Sequence, residues 1–329
     1  MKVAQRRAVK LLVFFALGGF GLFSLKGGVF AAGEDYPGRP VNVISGYAPG
    51  GSAGNSAMVF ADAVKKFLPK PQPFYVIHKA GATGMLAGDY VMKQPADGYN
   101  LWWATQDHGM RMAIEPEKFP FTLKDLVYIG TFAYTPYTLT VNAEGPIKTF
   151  EDFVEYGKNH PWEMTYSSVG MLSGNHLNLE LLMKATGIKV THVPFPSGTA
   201  AVLALLGGHV TSNGGSFGLF GSHVKPGGKA RTLVVFDTKR SPDFPDVPTA
   251  REKGYDIVSY HYVVLIAKKG TPKPVVDTLL KAFKQTADDP DAQSALIKTQ
   301  MIPLYLNPAE TEKMVRLDFD RAREVFGKK

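Results

Sequence analysis

Residues 45–55 read Ser-Gly-Tyr-Ala-Pro-Gly-Gly-Ser-Ala-Gly-Asn, a turn of glycine, small hydroxyls and one amide. Set between a strand and a helix, such a turn aims free backbone N–H groups and the positive end of a helix dipole at one point, which suits a carboxylate or phosphate. The candidate contacts are Tyr47, Ala48, Pro49, Gly50, Gly51, Ser52 and Asn55. A second stretch repeats the design with Ser167, Ser168, Gly170 and Ser173, followed by His176. A third small-residue turn holds Gly214, Gly215 and Ser216. Every one of these serines also has an ordinary role open to it, since Ser and Asn cap helices. His176 falls inside a predicted helix, where a structural histidine is the plainer reading.

Thr105, Gln106 and Asp107 follow an aromatic run at residues 99–104. An acid beside a carboxylate site is costly unless it meets an amine, a hydroxyl or a proton, so Asp107 implies a ligand with a donor group. The competing reading has Asp107 facing solvent or pairing with Arg111 at i+4. Tyr47, Phe195, Tyr260 and Tyr262 are candidates for apolar walls. A different chemistry is also open. Residues 50–54 and 214–218 both satisfy Gly-x-Ser-x-Gly, the pattern of a hydrolase nucleophile, with Ser52 or Ser216 as the attacking group. A glycine-rich chain produces that pattern readily. Scattered histidines supply no metal-ligand spacing, and neither glycine loop spells a dinucleotide fingerprint, so no cofactor or metal is expected.

To position these turns the chain must supply strands that end at them and helices that begin there. Apolar residues 41–47 predict a strand, and Ala57, Ala61, Val64 and Phe67 or Leu68 recur at helical spacing. Strands are further predicted at 74–77, 99–104, 127–132, 137–142, 164–168, 190–194, 210–213, 230–236 and 259–267. Residues 135 and 136, Thr-Pro, separate the fourth from the fifth. Thr149 with Asp152 resembles a capping box for a helix ending near Pro161. Three helices close the chain, starting near Pro274, Asp291 and Pro308. Alternation of strand and helix implies an α/β fold with largely parallel sheets, whose ligands sit beyond the strand ends where the turns lie.

Composition narrows the setting. Lys2, Arg6, Arg7 and Lys10 precede an apolar stretch and then Val-Phe-Ala-Ala at residues 29–32, the layout of a cleavable signal peptide over residues 1–31. Those residues carry Lys26 as a fifth base and no acid, so removing them lowers the formal charge from +8 to +3. Without a basic run in the remainder, a nucleic-acid partner loses its support. The chain has no cysteine, which excludes disulfides, thiolate metal sites and a cysteine nucleophile. About 300 residues suit two domains.

The order of motifs resembles the substrate-binding proteins of tripartite tricarboxylate transporters, the Bug or TctC-like periplasmic receptors. The resemblance runs through residues 36–40 (Tyr-Pro-Gly-Arg-Pro), 49–52, 81–84, 97–99, 166–170, 192–195, 205–210, 240–242, 245–249 and 270–274. It implies a type II periplasmic-binding fold, with lobe 1 at residues 32–134 and 255–329 and lobe 2 at residues 135–254. It further implies that residues 47–52 and 167–173 pinch a ligand carboxylate between the lobes, partly through waters. The protein would act as a monomer in the periplasm without a cofactor, handing a small organic carboxylate to a membrane permease or a membrane sensor. This chain departs from the family pattern at Gly54, where an Asp is common, and at residues 105–108, where small hydroxyls are common.

Overall fold

The structure, a computed structural model, describes residues 36–224 and 227–327. The segment read as a signal peptide lies outside the described residues.

Strand β1 (Val41–Ser45) runs into the glycine-rich loop, and α1 (Ser52–Ala63) begins at its far side, with Gly51 in extended backbone as the cap. A 3-10 turn prolongs α1 to Phe67 and stops before Pro69, as a proline requires. The same strand, turn and helix unit recurs as β2 (Phe74–His78) with α2 (Met85–Met92), and as β3 (Asn100–Thr105) with α3 (Asp107–Ile114). Strand β4 (Leu126–Pro136) then leads directly to β5 (Thr138–Asn142) and α4 (Phe150–Asn159). The chain continues with β6 (Thr165–Ser168), α5 (Gly174–Thr186), β7 (Thr191–Pro194), α6 (Gly198–Leu206) and β8 (Ser212–Asn213). After α7 (Phe217–Phe220) and β9 (Ala230–Val235) comes β10 (Tyr260–Lys268). The last elements are α8 (Lys273–Asp288), α9 (Pro290–Lys298), β11 (Ile302–Leu306) and α10 (Pro308–Phe326). Thr149 and Asp152 form the expected capping box on α4.

Two sheets result, with strand orders β11-β4-β10-β3-β1-β2 and β7-β6-β8-β5-β9. Both are mixed and not largely parallel. In the first, β1 pairs in parallel with β2 and β3, while β10 inserts antiparallel between β3 and β4. In the second, β6 runs parallel to β7 and β8, and β5 is antiparallel to β8 and β9. The two strands expected to break at residues 135–136 instead meet at a single residue, Tyr137. Pro136 is tolerated there because it is the last residue of β4, where a missing N–H costs least.

Strand β3 shows how the first sheet is held. Trp102 and Trp103 point to opposite faces and both are fully buried. Trp103 packs with Phe60, Phe132 and Phe283, whereas Trp102 packs with Ile44 and Phe121. Each face is therefore sealed by helices, which fixes the register and leaves the strand ends free for loops.

The chain crosses between sheets along two segments that lie side by side. Tyr137 N donates to Ser259 O, Phe236 N to Tyr137 O and Ser259 N to Phe236 O, at 3.1, 2.9 and 2.9 Å. Helix α10 packs on α3 and β4 of the first sheet and reaches α5 of the second. Among the described residues no helix is long and apolar enough to cross a membrane.

Candidate functional site

The first loop is shaped from within. Ser45 Oγ donates to Tyr47 O at 3.0 Å, and Asn55 Oδ1 accepts from Gly50 N at 3.0 Å. Ala48 O presses on Gly54 so closely that a Cβ there would sit 2.2 Å from it. Ala48, Pro49, Gly50 and Gly51 are exposed, and no side chain caps α1, so Ser52 and Asn55 do not serve as its cap. The start of α1 thus offers backbone N–H groups to solvent.

The second turn is tied more tightly. Ser173 Oγ lies 2.7 Å from both Gly170 O and Asn175 Oδ1, and Gly170 N donates to Ser168 Oγ at 3.1 Å. Ser168 Oγ is also hydrogen-bonded to His192 Nε2 at 2.6 Å. His176 accepts from Leu172 N at 3.1 Å and stacks on His192 with ring centroids 4.0 Å apart, so it supports the turn from behind. Burial, followed by the facing His176, pulls His192 down to about 4. Ser167 is turned inward, bonded to Ala201 O and Asn213 Nδ2. Phe195 donates its N–H to Ser168 O and packs against a small core with Leu205 and Phe220.

Between the two turns lies a buried polar cluster. Tyr47 is half-buried, with its hydroxyl aimed at Thr105 Oγ1, Thr83 O and Asp107 Oδ2, the last at 3.0 Å. Asp107 Oδ1 accepts from Gln106 Nε2 at 2.9 Å and from the N–H of Gly174, the first residue of α5, at 3.0 Å. Gln106 Nε2 is also 2.6 Å from the Tyr137 hydroxyl, while Gln106 Oε1 accepts from Tyr262 N. Asp107 therefore neither faces solvent nor pairs with Arg111, which is bound to Glu115 at 2.7 Å. Burial pushes the Asp107 carboxyl up to about 6, against the lowering effect of its bonds to Tyr47 and Gly174. Burial likewise raises the Tyr47 and Tyr137 hydroxyls, with Asp107 adding to each.

The residues named from sequence fall into three groups. Asp107 is hydrogen-bonded directly to the start of α5, Tyr47 and Gln106 bond to Asp107, and Thr105 bonds to Tyr47. Ser168, Gly170, Ser173 and His176 shape the second turn, whereas Ser167 is structural. Among the described residues, 48–55 make no hydrogen bond to the second turn, and Tyr47 connects the first loop to it only through Asp107. Ser216 is buried, and its backbone is bridged to Tyr137. Neither Ser52 nor Ser216 has a histidine as hydrogen-bond partner among the described residues. The Ser–His pair the fold does make is Ser168 with His192, and a ring held down near 4 is a poor general base. Tyr260 and Tyr262 are bound to Asp237 and Asp318. Sequence reasoning missed Tyr137, Gly174 and His192, whose partners are distant in sequence, and Asn175, which ties the second turn together locally. A surface concavity beside Leu203 and Lys229 lies away from this cluster, whereas one beside Asp62 and Tyr75 reaches His78, whose Nδ1 is 2.7 Å from Tyr47 O.

Comparison with known proteins places these features in company. The model of the tripartite tricarboxylate transporter family receptor matches residues 57–329. A UPF0065 protein of Cupriavidus necator, from the gbd 5′ region, is 35% identical over 284 residues, covering 84% of this chain and 83% of that protein. BugT of Bordetella pertussis is 27% identical over 306 residues, covering 92% and 93%. Among solved structures, a TctC solute-binding protein from Polaromonas superposes with TM-score 0.75 at 28% identity, covering 89% of this chain and all of that one. MatC from Rhodopseudomonas palustris, with bound malate, gives TM-score 0.76 at 26% identity over 88% and 99% of the two chains.

Proposed function

Because the chain belongs to the tripartite tricarboxylate transporter receptor family, we propose that it captures a small organic carboxylate by hinge closure and delivers it to the membrane permease of such a transporter. It does so as a monomer in the periplasm, after loss of residues 1–31, and breaks no bond. Lobe 1 comprises residues 32–134 and 255–329 and lobe 2 residues 135–254, hinged where Tyr137 and Ser259 run side by side. The ligand sits between the residue 47–52 loop and the residue 168–174 turn, against Thr105, Gln106 and Asp107. A ligand that touches both lobes favours the closed form by its differential affinity for it.

The observation that carries this reading is the contact between Gly174 N and Asp107 Oδ1, a carboxylate oxygen of the chain itself, at 3.0 Å. Helix α5 begins with a backbone N–H turned toward the other lobe, and a carboxylate fits against it. The malate held by the relative from R. palustris supports the same ligand class. That neither Ser52 nor Ser216 has a histidine as hydrogen-bond partner among the described residues supports binding over hydrolysis; fluorophosphonate labelling of either serine together with ester turnover would reverse that choice.

A thermal-shift screen of mono-, di- and tricarboxylic acids on the chain from Ala32 onward tests the proposal. A bound acid raises the melting temperature in proportion to the logarithm of its concentration over its dissociation constant. Stabilisation by uncharged solutes alone, with every carboxylate inert, would refute it.

A further inference from the structure

We propose that Asp107 is a resident carboxylate, occupying from within the chain the position at the start of α5 that the function above assigns to a ligand carboxylate, so that a ligand enters by displacing it. The inference rests on that reading and adds to it a competitor built into the fold.

Three observations support it. Asp107 is 3% exposed, and both its oxygens are engaged by donors from separate elements: Tyr47 of the loop after β1, Gln106 at the end of β3 and Gly174 of α5. The fit is tight. A Cβ on Gly174 would lie 2.3 Å from the Tyr137 hydroxyl and 2.5 Å from Gln106 Nε2, so these two side chains close directly on the start of α5. Finally, Asn178 stands one turn along α5 on the face of Gly174, wholly buried, and neither its Oδ1 nor its Nδ2 has a hydrogen-bond partner. Buried amides are ordinarily paired, so Asn178 is an unsatisfied donor and acceptor on the face of α5 that carries Gly174.

The surrounding charges favour a contact that can be exchanged. The groups facing Asp107 are the Tyr47 hydroxyl, Tyr137 from the crossing, Arg111 on its own helix, Tyr262 from β10 and Asp318 from α10. Arg111 is committed to Glu115, and Asp318 repels Asp107. What holds Asp107 is therefore hydrogen bonding and the helix N-terminus, the same forces that would hold a ligand.

The test compares the wild-type chain with Asp107→Ser and with the isosteric Asp107→Asn. Without any added acid, hydrogen exchange of the peptide covering residues 173–177 should quicken by about tenfold in Asp107→Ser and by less in Asp107→Asn, which keeps an acceptor but loses the charge. Unchanged exchange in both variants would overturn the proposal. Calorimetric titration with malate and adipate forms the second arm. Any of these acids that binds the wild type should bind Asp107→Ser about tenfold tighter; equal or weaker binding would also overturn it. If neither acid binds any form while exchange still quickens, the resident contact stands and the ligand class proposed above is what fails.

Discussion

Asp107 and Asp318 are acids that burial raises to about 6, and His108, His192 and His261 are bases that burial lowers to about 4. The signs oppose each other. A raised acid binds its proton more tightly when folded, so its contribution is fully present below about pH 4 and is lost as pH rises through 6. A depressed histidine contributes stability above about 6.5 that is lost as pH falls toward 4. Asp318 isolates the first effect, since its side chain is 13% exposed and accepts from the Tyr262 hydroxyl at 2.9 Å. In urea unfolding, Asp318→Asn should gain on the wild type by on the order of 2 kcal/mol between pH 4 and pH 7. A difference that stayed flat with pH would mean that burial does not set this carboxyl's affinity for its proton. At this scale the sequence was partly legible. Asp107 stood out by lying just past a buried strand, but its bond to Gly174 spans 67 residues and the Gln106 bond to Tyr137 spans 31, and no spacing rule reaches so far.

The loop and helix units were the readable part of the fold, because glycine, serine and proline punctuate them. Elements that depart from this punctuation are not legible in the sequence. Helix α3 starts directly off β3 with no side-chain cap at Gln106, and β11 is a short strand with a proline at its second residue. Gly54 was noticed only as a departure from the family's acid. Its cause is steric: the backbone of Ala48 lies where a Cβ would go. Gly54→Asp should therefore push the loop away from α1 at a cost of about 1–3 kcal/mol. Calorimetry should find a lowered melting temperature and no stabilisation by acids that stabilise the wild type. Retention of the full ligand shift would show that the loop's shape does not matter to binding.

At the scale of the whole molecule, α10 bridges the two sheets. Its Phe326 ring lies 4.6 Å from His176, Ala322 packs with Met110 and Leu177, and Glu324 is ion-paired with Lys184. Exposed ion pairs contribute little, so the apolar contacts carry the bridge. Phe326→Ala should cost about 1–2 kcal/mol in urea unfolding. Small-angle scattering of the ligand-free variant should give a larger radius of gyration than the wild type; identical scattering would mean that α10 does not hold the two sheets together. The topology has one more effect, on how such a chain is made. The middle of the larger sheet joins residues 126–136 to residues 260–268, with β10 wedged between β3 and β4. That sheet cannot close until most of the polypeptide is available, and contacts this distant form slowly. The second sheet, built from residues 138–235 alone, has all its strands available before β10 exists, so the order of strands separates the two sheets in time as well as in space.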